Sequence, residues 1–124
     1  MLQLKDQLSL PTAGLSGFEP PMGEEVQAVQ ASVHRFARDI MRPAAAELDQ
    51  MPAEAVIAPG SPLWSVFAEA AKLGLDPSVI AQFPPDVAVT LESVIGEEMG
   101  WGDAGLGAAL AVSSFPGLMA AAAI

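Results

Sequence analysis

The last 21 residues, AGLGAALAVSSFPGLMAAAAI (104–124), carry no charged side chain, and no other feature constrains the fold as much. A helix that is apolar on every side has to sit among other helices, against a larger protein surface, or in a bilayer. The run is long enough to cross a bilayer, and Gly105 with Ala109 makes a small-xxx-small pair suited to close helix contact. Against a span, eight of the 21 residues are Ala, and Ser113, Ser114 and Pro116 interrupt the middle. No basic or aromatic anchor follows. The composition therefore favours a helix buried in protein. Four short helices can hardly surround it, and the run reaches Ile124 without a polar cap, so a further protein surface is expected to cover it.

Everything upstream reads as helix separated by Pro and Gly. The chain of 124 residues has 23 Ala, two Thr and no Tyr, which favours helices over sheets. In 1–21, Pro11, Gly14, Gly17, Pro20 and Pro21 prevent a long element, and an extended lead-in is expected. From Met22 to about Arg42, Val26, Val29, Val33, Phe36, Ala37 and Ile40 recur at three- and four-residue steps and form one apolar stripe. Glu24 and Glu25 open this segment, and Arg35, Arg38 and Arg42 lie towards its end, which suits the helix dipole. Pro43 is expected to end or kink it, with another turn or two over 44–49. After a turn-rich stretch at 51–60, Ser61-Pro62 is a helix start, with Leu63, Val66, Phe67, Ala70 and Ala71 inward and Gly74 as a left-handed stop. Asp76-Pro77 repeats the start signal for a short helix ending before Pro84-Pro85. A further helix over 86–99 carries Val87, Leu91, Val94, Ile95 and Met99 on one side; Gly100-Trp101-Gly102 is expected to break it, and Asp103 to cap the last segment. The sum is an all-α domain at 22–124, an orthogonal or up-down bundle of four to five helices.

Several functional classes drop out on composition. Fifteen acidic against five basic residues give a net charge of -10, with no Lys/Arg surplus to displace counterions from nucleic acid. The absence of Cys removes disulfides, thiolate metal sites and Cys nucleophiles, and one His makes no metal cluster. The start, with Lys5 and Asp6 and no apolar run, is not a secretory signal, so a cytoplasmic protein is expected. Glu97-Glu98 could do acid–base work, but neighbours in a helix point about 100° apart and do not face one site. A solvated face, or a salt bridge to a partner, is the expectation for the pair. His34, beside the stripe at Val33, is expected at the surface or its boundary. Gly102, Gly105 and Gly107 lack the Lys and the preceding strand of a phosphate loop, and are expected to allow close backbone packing or approach of a ligand.

Three segments, in order, resemble acyl-CoA dehydrogenases. Residues 36–49, FARDIMRPAAAELD, resemble the family's first long helix: an aromatic, an aliphatic-x-Pro-x-Ala step and an acidic end. Leu63-Trp64 to Ala68, then Ala71-Lys72-Leu73-Gly74-Leu75, is similar to its second helix and LGL turn. Residues 97–106, EEMGWGDAGL, look like the segment that leads into its Ala-rich helix. No one piece is diagnostic, but the ordered set, spanning 22–124 at nearly the family's spacing, is fairly specific. One departure follows Leu75. The family has a Pro-Glu-Glu-Tyr-Gly-Gly loop there, whereas 76–86 contain neither Tyr nor Gly.

The resemblance implies the helical N-terminal domain of an FAD-dependent oxidoreductase that desaturates an acyl-CoA. In the family a base removes the α-proton while a β-hydride passes to FAD. A β-domain and a C-terminal four-helix domain follow, and they hold the base and most flavin contacts. This chain, as a truncated or separately encoded piece, is therefore expected to be inactive alone. No catalytic, metal or flavin-binding residue is assigned in it. Its partners are expected to be acyl-CoA and those later domains, or a second copy. The resemblance places one wall of the acyl pocket on the last helix, at Gly107, Ala108, Ala111 and Phe115. Their spacing puts all four within roughly one helix face, and three small side chains leave room for a long or bulky acyl group. The competing expectation for these four is core packing against a missing neighbour. The competing function is a non-catalytic helical interaction module, membrane-associated through 104–124.

Overall fold

The structure, a computed structural model, describes residues 22–123, apart from the side chains of 114–118, 121 and 122. The expected lead-in at 1–21 and Ile124 lie outside the described residues. The fold is all-α, with no strand among the described residues. Helix α1 (Glu24–Phe36) buries Val26, Val33 and Phe36, the expected stripe, and carries Glu24 and Glu25 in its first turn. It then widens into a π-helical segment, Ala37–Met41, and continues as α2 (Arg42–Leu48). Pro43 explains the widening: it has no N–H to donate, and its ring crowds the carbonyl four residues back, at Asp39. The Arg42 N–H instead reaches five residues back to the Ala37 carbonyl. Pro43 thus distorts the helix without ending it.

A single turn, α3 (Ala53–Val56), crosses to α4 (Pro62–Lys72). The start of α4 is the one expected: Ser61 Oγ accepts from the Leu63 N–H at 3.2 Å, and Pro62 takes the first helical position. After α4, Gly74 adopts φ 66°, a left-handed conformation that favours glycine. The short α5 (Pro77–Ile80) begins at Asp76, whose Oδ1 accepts from the Ser78 N–H at 2.8 Å.

Helix α6 (Pro85–Gly102) is longer than expected, because Gly100-Trp101-Gly102 does not break it. The helix stops at Asp103, which is extended at φ -168° and ψ 123°. Packing overrides the low helix propensity of glycine here. A Cβ on Gly102 would lie 2.9 Å from Ala37 Cβ and 3.0 Å from Met41 Sδ, so only glycine lets α6 come this close to the π-helical segment. That contact offsets a propensity cost of about 1 kcal/mol. Asp103 then caps α7 (Ala104–Ala123), its Oδ1 accepting from the Leu106 N–H at 2.8 Å.

Two apolar clusters form the core. Phe36, Ala37, Met41, Val66 and Leu106 join α1, the π-helical segment, α4 and α7. Val26, Ile80, Leu91 and Val94 join the start of α1 to α5 and α6. Phe36 and Leu91, the centres of their stripes, are 5% and 2% exposed. Helix α7 is covered only in part. Leu106 is buried, whereas Val112 and Met119 are each 64% exposed. Among the described residues no helix is long and apolar enough to cross a membrane.

Candidate functional site: an apolar cleft between α4, α6 and α7

The two sides of α6 do different work. Leu91, Val94, Glu98 and Gly102, at steps of three and four, are buried. The adjacent row of Glu92, Ile95, Gly96, Met99 and Gly100 faces a cleft of about 830 Å³. The cleft lies between the two core clusters, with Leu73, Met99 and Leu110 from the margin of one and Ile80 and Ile95 from the other. Its second wall is the end of α4, where Phe67, Ala70 and Ala71 recur at three and four and Leu75 follows the Gly74 turn. Ala71, expected inward, is exposed in this wall.

The third wall is α7, and here Gly107, Ala108 and Ala111 fall together on the cleft. The side chain of Phe115 lies outside the described residues, although its backbone belongs to α7. Gly107 also serves packing: a Cβ there would stand 3.3 Å from both Cβ and the carbonyl oxygen of Met99. The small residue lets α7 lean onto the end of α6 and so sets the depth of the cleft. The size suits a drug-sized or fatty ligand.

On its buried side α6 is tied to α1 by a polar cluster. Glu98 is only 6% exposed, and its carboxylate accepts from Gln30 Nε2 at 3.3 Å and lies 2.6 Å from His34 Nδ1. A carboxylate can only accept, so the proton on this bond belongs to the imidazole. The His34 ring stacks on Trp101, with centroids 4.5 Å apart and planes at 25°, and the Arg42 guanidinium lies 4.6 Å from a Trp101 ring centroid. Of the acidic pair, Glu97 is exposed, as expected. Glu98 departs from the solvated-face expectation because α1 delivers two donors to it; His34, at the boundary of the surface as expected, is one of them. Local sequence signals do not show this cluster: 64 residues separate His34 from Glu98, and periodicity carries no such pairing.

Chemically, the cleft can bind but has few groups with which to react. Among the described residues, the ionisable groups on its lining are Asp76 and Glu92. Hydrogen bonds from Ser78, first its hydroxyl at 2.6 Å and then its N–H, hold the Asp76 carboxyl below the usual carboxylate range. Glu92 and Asp76 have no ion-pair partner among the described residues. Among the described residues no group of three or more His, Asp or Glu could hold a metal either. What fold and site define is an all-α domain with an apolar, ligand-sized cleft. Comparison with protein-family models, curated proteins and solved structures returned no match.

Proposed function

We propose that the chain is the helical acyl-binding part of an acyl-CoA dehydrogenase-type enzyme, with α7 as one wall of the acyl pocket. Supporting this reading is the ordered run of family-like segments over 22–124 on an all-α fold. The observation that carries it is the meeting of Gly107, Ala108 and Ala111 on one apolar cleft, since that is the helix face the resemblance assigns to the acyl chain. The task of the chain is to bind and orient. It takes the hydrocarbon tail out of water and so fixes where the thioester end lies relative to groups that react. The α6 wall keeps its place through Glu98, His34 and Gln30, which makes these positioning residues.

FAD, implied by the resemblance, finds no fitting holder among the described residues. The described cleft lining has no cation for a pyrophosphate, and Gly102, Gly105 and Gly107 lie within helices, not in an open phosphate loop. Flavin contacts and the base are accordingly assigned to other parts of the enzyme, and the chain alone is expected to turn over no acyl-CoA even with added FAD.

The test is Ala111→Leu in the enzyme completed with its flavin-binding β- and C-terminal helical domains. The larger side chain shortens the cleft, so long acyl-CoAs should lose efficiency while short ones keep it. Equal losses for long and short chains would overturn the pocket-wall role and favour core packing.

A further inference from the structure

The charge around the cleft is one-sided. Of the described residues that line it, Asp76 and Glu92 are acidic and none is basic. Lys72 stands next in sequence to the lining residues Ala71 and Leu73, but its Nζ is engaged by Glu69 Oε1 at 2.7 Å. The three described arginines are elsewhere: Arg35 on Ser32, Arg38 on Asp39 and Arg42 on Trp101. Ser78 keeps Asp76 ionised, so its charge persists to lower pH than that of an ordinary carboxylate.

We infer that the cleft selects ligand chains whose buried end is uncharged and turns away chains that end in a second carboxylate. This rests on the reading of the cleft as an acyl-chain pocket and adds a substrate class to it: monoacyl chains with a hydrocarbon terminus, not dicarboxylyl chains. A carboxylate entering the cleft sheds water against Ile80, Ile95, Met99 and Leu110 and meets no donor cation among the described residues in return. It also approaches two like charges, Asp76 and Glu92, which stand exposed at the edge of the cleft, so their repulsion is screened by water and adds a smaller increment. Nothing comparable opposes a methyl end. Asp76 and Glu92 are therefore specificity-determining residues that act by exclusion.

The experiment uses the full 124-residue chain and two chain-matched probes, decanoate and decanedioate, followed by titration of the Gly107 and Ala108 amide signals. Decanoate can leave its one carboxylate in solvent, whereas decanedioate must bring a charge inward. Decanoate is expected to shift both signals and decanedioate to bind at least about tenfold more weakly. The gap should narrow in the Asp76→Asn/Glu92→Gln variant; Asn preserves the helix cap at position 76. Binding of the two probes within twofold of each other overturns the inference and leaves the pocket reading standing. Failure of decanoate to move the two signals overturns both. A gap of unchanged size in the double variant overturns the assignment to Asp76 and Glu92.

Discussion

Replacing His34 by Ala should cost far more than a partly exposed histidine ordinarily would. Glu98 is 6% exposed and has two described side-chain donors, His34 and the weaker Gln30 at 3.3 Å. Removing one partner of a buried pair costs about 3–5 kcal/mol when the site stays dry. The His34 side chain is 29% exposed, so water can enter the space it vacates and recover part of that. Loss of the stacked contact with Trp101 adds about 0.5–1.5 kcal/mol. A net loss of about 2–3 kcal/mol follows, scaled down from those two figures. The assay is urea unfolding followed by helical circular dichroism at one fixed protein concentration, for His34→Ala, Glu98→Met and the double variant. Glu98→Met replaces the carboxylate with an apolar side chain of similar length and should cost less than His34→Ala. The double variant should be more stable than His34→Ala alone, since no buried charge is left unpaired. Strict additivity of the two single changes, or a His34→Ala cost below about 0.5 kcal/mol, would refute the view that this pair holds α6 on α1.

Other outcomes follow from the same geometry. Gly102→Ala should destabilise by about 1–3 kcal/mol, the usual cost of overpacking, because the new Cβ meets Ala37 and Met41 at 2.9–3.0 Å; a neutral result in urea unfolding would place the end of α6 elsewhere. Phe36→Ala, in the first core cluster, should cost about 3–5 kcal/mol, and unchanged helicity and solubility would count against the stripe. The native Asp76 carboxyl releases its proton more readily than the unfolded one, so its contribution is complete above the ordinary carboxylate range and is lost as pH falls through the lowered native value. The Ser78 amide signal should therefore titrate below the range of a free Asp, and a midpoint at the ordinary value would contradict the cap. With Val112 and Met119 each 64% exposed on α7, the isolated chain should self-associate at micromolar concentration; a monomer in sedimentation equilibrium would argue against a covering partner.

The helical architecture was legible because its signals are local. Ser61-Pro62, Gly74, Asp76-Pro77 and Asp103 mark ends through their own side chains or their own φ, and each acts where the sequence places it. The stripe through Val26, Val33 and Phe36 is a one-helix periodicity and needs no knowledge of the partner. What escaped depends on contacts between distant segments. Gly102 stays helical because Ala37 and Met41 lie against it, and Glu98 is buried because Gln30 and His34 await it on α1. The cleft was half visible. The α7 wall came from a family resemblance, whereas Gly96 and Gly100 face the same space from α6 with nothing but small size to mark them.

The acyl-pocket reading is tested most directly by locating a bound chain. In a nuclear Overhauser experiment on the 124-residue protein with decanoate, contacts are expected from the chain methylenes to the Ala108 and Ala111 methyls, and from the terminal methyl to Ile95 or Met99, all on the cleft lining. Contacts confined to the exposed face of α7 at Val112 and Met119, with none to Ala108 or Ala111, would contradict it.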